Sequence, residues 1–116
     1  MVANKRSAEH NLYSSGIDVV ANTLVITNIL RDLENHYIGV RYYSDAIGTP
    51  VVPGAGTVVI EGLDEATAQW TPTQAPLVST DVLDKESING NITGLRAVPT
   101  GITTATHWQL FSSSNL

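Results

Sequence analysis

The sequence predicts an all-β chain, an antiparallel β-sandwich or jelly roll of about seven to eight short strands. Three observations predict it. Short runs of β-branched and aromatic residues are punctuated by turn residues every ~8–12 positions. Strand and helix patterns do not alternate along the chain, which excludes a parallel α/β sheet. The polar residues are mostly Thr, Ser and Asn, which suit strands and turns; a helical exterior favours Lys, Glu and Gln.

Residues 1–16 are polar and aperiodic. They read as an N-terminal arm, either a loose terminus or a segment that docks on a neighbouring subunit through Leu12 and Tyr13. Residues 17–116 read as a single β-sandwich domain. Within it, residues 17–20 form a short strand, Ala21-Asn22-Thr23 turns the chain, and residues 24–29 form a second apolar run. A brief helix fits residues 28–33, before a polar turn. Residues 36–44 are the clearest central strand. Alternation puts Ile38, Val40 and Tyr42 on one face, and Tyr37, Gly39, Arg41 and Tyr43 on the other. Both faces carry large groups, so one of them is expected to meet a partner.

Gly48, Pro50, Pro53, Gly54 and Gly56 break the following stretch into a long loop. Residues 57–63 alternate again and end at an Asp64-Glu65 turn. Residues 66–71 read as a half-buried strand with Trp70 pointing inward. Pro72 and Pro76 then allow only a loop or a sheet edge. Residues 77–83 make a short strand followed by a polar turn, and Asn89-Gly90 is a strong two-residue turn signal. The last strands are residues 92–98 and 105–111. A tight connection at Pro99-Thr100-Gly101 joins them, with Gly101 expected at positive φ. Residues 112–116 read as a polar end.

With 116 residues and 12.4 kDa, the chain has room for one domain. Area scaling gives roughly 6,000 Å² exposed when folded against roughly 18,000 Å² for the open chain, enough for a modest core. Hydrophobic residues make up 42% and charged residues 15%, which argues against disorder. The net charge is −5, from 6 basic and 11 acidic residues. Lys5-Arg6 is the sole basic pair, so neither nucleic acid nor an anionic membrane is an expected partner. The absence of Cys excludes disulfides and thiolate zinc sites. No apolar leader or spanning segment is visible, and synthesis inside the cell is the expectation.

Motifs for chemistry are missing. His10, His36 and His107 are far apart, and none has a partner at metal-ligand spacing. Asp81, Asp84, Glu86 and Asn89 do not match the alternating spacing of a calcium loop, so they read as a solvated acidic loop. There is no nucleophile elbow. Gly54-Ala55-Gly56 has no following Lys to hold a phosphate. No catalytic, cofactor-binding or metal-ligating residue is assigned, no cofactor is expected, and the chain is expected not to be an enzyme. The aromatics carry more information. Trp70 and Trp108 read as core residues, with a sugar platform or interface as the alternative. Tyr37 and Tyr43 share a face with Arg41. With Leu12 and Tyr13, these residues form the candidate interface.

The stretch Asn-Ile-Thr-Gly-Leu-Arg-Ala-Val-Pro-Thr-Gly-Ile-Thr-Thr-Ala-Thr-His-Trp-Gln-Leu, ending at Leu110, resembles small virion structural proteins of tailed bacteriophages. Gly56-Thr57-Val58-Val59-Ile60-Glu61-Gly62 and Trp70 look like the central strands of the same pattern. The likeness covers residues 56–111. It implies a β-sandwich virion subunit: a capsid decoration or cement protein bridging capsid subunits, or alternatively a tail or tail-fibre component that binds a receptor or glycan. The implied partners are the major capsid protein, other virion proteins, and further copies of the chain in a dimer or trimer. The implied location is the virion.

Overall fold

The computed structural model describes residues 11–73 and 75–115. It is all-β, with no helix among the described residues. The strands are β1 (Asn11–Ser14), β2 (Asp18–Val19), β3 (Leu24–Ile26), β4 (Asn35–Tyr43), β5 (Thr57–Asp64), β6 (Trp70–Pro72), β7 (Leu77–Val78), β8 (Leu83–Asn89), β9 (Ile92–Thr100) and β10 (His107–Asn115). Two antiparallel sheets pack face to face. The first runs β1-β10-β4-β8, with β2 also on β10. The second runs β3-β9-β5-β6, with β7 also on β5.

The period of two decides what lies between the sheets. The first sheet turns Ile38, Val40 and Tyr42 of β4 inward, with Trp108 and Leu110 of β10, and all five are fully buried. The second answers with Leu24 and Ile26 of β3, Val58 and Ile60 of β5, and Leu95 and Ala97 of β9. Tyr42 and Trp108 stack with centroids 6.4 Å apart. The indole N–H of Trp108 donates to the Asn22 carbonyl at 3.0 Å, so its one polar atom is satisfied.

Several elements differ from the sequence reading. Residues 28–33 form no helix; the chain turns there, with Asp32 at φ 70. The strand expected over residues 66–71 shrinks to β6, because a turn with Ala68 at φ 57 occupies its first half. Trp70 pairs with Leu63 and sits on the outer face of the second sheet. There the Arg96 guanidinium covers its ring at 4.6 Å. The polar stretch after residue 83 is β8, with Asp84, Glu86 and Ile88 turned inward and buried. The polar end is the second half of β10, with Ser112 and Ser114 buried. Within residues 1–16, residues 11–14 form β1 on β10 of the same chain. Residues 1–10, including His10 and the Lys5-Arg6 pair, lie outside the described residues.

Of the four glycines with positive φ among the described residues, Gly101 and Gly56 differ in what surrounds them. Gly101, in the connection after β9, has φ 66 and open space around its missing Cβ. Gly56 has φ 117, and a Cβ there would meet the Ile102 backbone at 2.7 Å. Gly101→Ala should therefore cost only the conformational strain, about 1–2 kcal/mol, and Gly56→Ala distinctly more. Trp108→Ala should cost ~3–5 kcal/mol. Chemical denaturation of the three variants checks this order.

Candidate functional site

The outward residues of the first sheet follow from the same register. Gly39 stands at the centre. Along β4 it lies between Tyr37 and Arg41; across the sheet it faces Phe111 of β10 and Lys85 of β8. With no Cβ at Gly39, and Leu83 leaning toward it, the centre stays low. The surrounding side chains stand up as walls. The result is an open groove of about 410 Å³, closed at one end by Leu12 and Ser14 of β1. Its size falls within the ~300–1,000 Å³ of small-ligand sites.

Of the candidate interface residues, Leu12, Tyr13, Tyr37 and Arg41 all line this groove. Leu12 is 78% exposed and Tyr37 is 49% exposed. Tyr13 turns largely toward the core, and its hydroxyl accepts from the Leu30 N–H at 3.1 Å. Tyr43 does not line the groove. The chain folds back so that Pro50 bridges it, its ring is buried, and its hydroxyl donates to Gln109 Oε1 at 3.0 Å. Phe111, Leu83 and Lys85 complete the groove, and the sequence reading did not select them. Phe111 was at the end of an expected strand, and the pairing of β8 was not foreseen.

The groove is cationic. Arg31 pairs with Glu65 at 3.1 Å, and Arg96 pairs with Glu61. Among the described residues, Arg41 and Lys85 have no carboxylate partner, and both line the groove. The Arg41 guanidinium lies over the Phe111 ring at 5.1 Å, a cation–π contact that holds it in place. Among the described residues, no carboxylate or histidine lines this groove.

Three buried titratable groups with shifted pKa values, His36, Tyr42 and Glu86, lie elsewhere, between the sheets. His36 points inward from β4. Its Nε2–H donates to the Gly90 carbonyl at 3.0 Å, so the neutral ring accepts at Nδ1 from the Ser114 hydroxyl at 2.8 Å. Burial lowers its pKa below 6.5. Glu86 accepts from the Thr73 hydroxyl at 2.9 Å; burial nevertheless raises its pKa. Tyr42 shares a hydrogen bond with Ser79 at 2.8 Å. Burial, reinforced by the nearby Asp84 charge, pushes its ionisation up. Asp84 Oδ2 is buried without a hydrogen-bond partner among the described residues. Asp81 is exposed, accepting from the Val82 N–H, so the acidic residues of this stretch do not converge. No three His, Asp or Glu side chains come together among the described residues.

The chain belongs to the family described as Domain of unknown function (DUF7265), whose model matches residues 8–116. No curated protein matches it. Among solved structures, it is similar to the CBM22-1 xylan-binding domain of Paenibacillus barcinonensis Xyn10C, at 15% identity and a TM-score of 0.38, over 91% of this chain and 85% of that one. It is also similar to the stem and receptor binding domain of the spike protein P1 of bacteriophage PM2. That likeness has 10% identity and a TM-score of 0.35, over 91% of this chain and 66% of that one. Neither likeness carries a ligand or a role across to this chain.

The buried groups set a pH response. The folded state favours neutral His36, so below about pH 6.5 the unfolded chain binds the extra proton and stability falls. Glu86 acts in the opposite sense: its raised pKa favours the protonated fold, and that stabilisation is lost as pH rises. His36→Gln should flatten the loss of Tm between about pH 7.5 and 5.5. Glu86→Gln should raise Tm near pH 7, with the gain fading toward pH ~4. Thermal melts across pH check both.

Proposed function

We propose that this chain is a non-enzymatic binding module of a tailed-phage virion, and that it holds a host-surface receptor or glycan in the groove of its first sheet. The observation that carries this reading is the exposed Tyr37 ring beside Arg41 in a concave site around Gly39. An aromatic face and a planar donor fork supply contact area and orientation at low entropy cost. A groove of this scale suits a small ligand such as a glycan. A capsid cement needs a broad complementary area, ~800 Å² on each partner. The other exposed apolar groups, such as Val25, Ile47 and Val78, lie on separate elements away from the groove. The capsid-decoration role therefore stands second, favoured by the sequence resemblance to virion structural proteins.

A saccharide array, followed by titration of the best glycan, tests the reading. Tyr37→Ala should weaken binding about tenfold, a loss of ~1.4 kcal/mol. Trp70→Ala, on the opposite sheet, should leave binding intact. Binding that depends on Trp70 and not Tyr37 would overturn the groove assignment. Immunogold labelling over heads with bare tails would favour decoration instead.

A further inference from the structure

The charges in the groove narrow the ligand, on the footing that the groove is a glycan site. We infer that it takes an acidic saccharide, one whose sugar ring bears a carboxylate. Four neighbours surround Gly39: two aromatic rings, Tyr37 and Phe111, and two cations, Arg41 and Lys85. Arg41 and Lys85 are diagonal neighbours on adjacent strands. Side chains at such positions can reach a common group. A protein with net charge −5 thus brings together, without carboxylates among them, its two cations that lack an acidic partner among the described residues.

The chemistry of a uronate answers each feature. Its C–H face is apolar and lies against an aromatic ring. Its carboxylate is planar and matches a guanidinium fork in bidentate fashion. Phe111 holds that fork in place before the ligand arrives, which lowers the ordering cost of binding. Other anions fit less well. Phosphate sites draw on free backbone N–H groups at helix ends or in nests. Here the floor is the middle of a sheet, where β4 is paired on both sides. Peptides that bind sheets add a strand at an edge; this groove crosses a face.

The probes are tetragalacturonate, its fully methyl-esterified form, and a pentaglutamate peptide, each titrated by calorimetry and amide NMR into the full chain. Tetragalacturonate should bind, with shifts centred on residues 37–41, 85 and 111. The methyl ester, which keeps the rings and loses the charge, should bind about tenfold more weakly. Arg41→Gln should cost about tenfold for tetragalacturonate and little for the ester. Gly39→Val, whose side chain would meet Leu83 Cδ1 at 3.0 Å, should block both saccharides. An unchanged Trp108 near-UV signal shows that each variant is folded. Equal binding of ester and acid would overturn the charge inference and leave the glycan reading standing. Binding of pentaglutamate alone would make the groove a peptide dock and overturn the inference. If none of the three binds, and no array glycan does, both readings fall together.

Discussion

The antiparallel ladder between β4 and β10, paired from His107↔Tyr43 to Asn115↔Asn35, is the constraint on which the rest depends. Side chains alternate across it, so one register fixes two surfaces at once. It sends Tyr42, Trp108, Val40 and Leu110 into the sandwich. It sends Tyr37, Arg41 and Phe111 outward around Gly39. A slip of one residue would put arginine in the core and tryptophan in solvent. The stability of the interior therefore enforces the geometry of the groove. The stacked Tyr42 and Trp108 rings supply much of that enforcement, because large aromatic groups bury the most area per residue.

A polar seam runs inside the same sandwich and is held to the same register. His36 joins β4 to the end of β10 through Ser114, and reaches the β8–β9 turn through Gly90. Ser114 in turn bonds Ser112 at 2.7 Å. Glu86 of β8 reaches Thr73, just past β6, which ties the rims of the two sheets together. These groups are satisfied only in one arrangement, since an unpaired buried polar atom is costly. The seam therefore adds specificity where the aliphatic core thins toward the edge of the sandwich.

Much of this was legible in the sequence, and the gaps have physical causes. The alternation of residues 36–44 and 57–63 placed β4 and β5 within one residue of their ends. Pro72 was expected at a loop or edge, and β6 is an edge strand. β8 escaped because its inward positions are Asp84, Glu86 and Ile88, a pattern that reads as polar unless the partners across the core are known. The end of β10 escaped for the same reason: its buried residues there are serines, whose burial is explained only by His36 from a distant strand. The side of Trp70 was misjudged because alternation gives two faces and does not say which is the interior. In the groove, Tyr37 and Arg41 were legible as neighbours on one strand. Lys85 and Phe111 needed the strand order, which is a property of pairing.

The two carboxylates turned inward on β8 have a consequence for crowding. β8 ends its sheet, and an unpaired strand margin invites another chain to zip onto it and grow a fibril. Inward-facing charge on such a margin is one of the devices natural sheets use against this. An intruding strand would have to pack its own apolar side chains beside Asp84 and Glu86, in a space with no water to screen them. That margin is therefore guarded against strand addition even where copies of the chain crowd together.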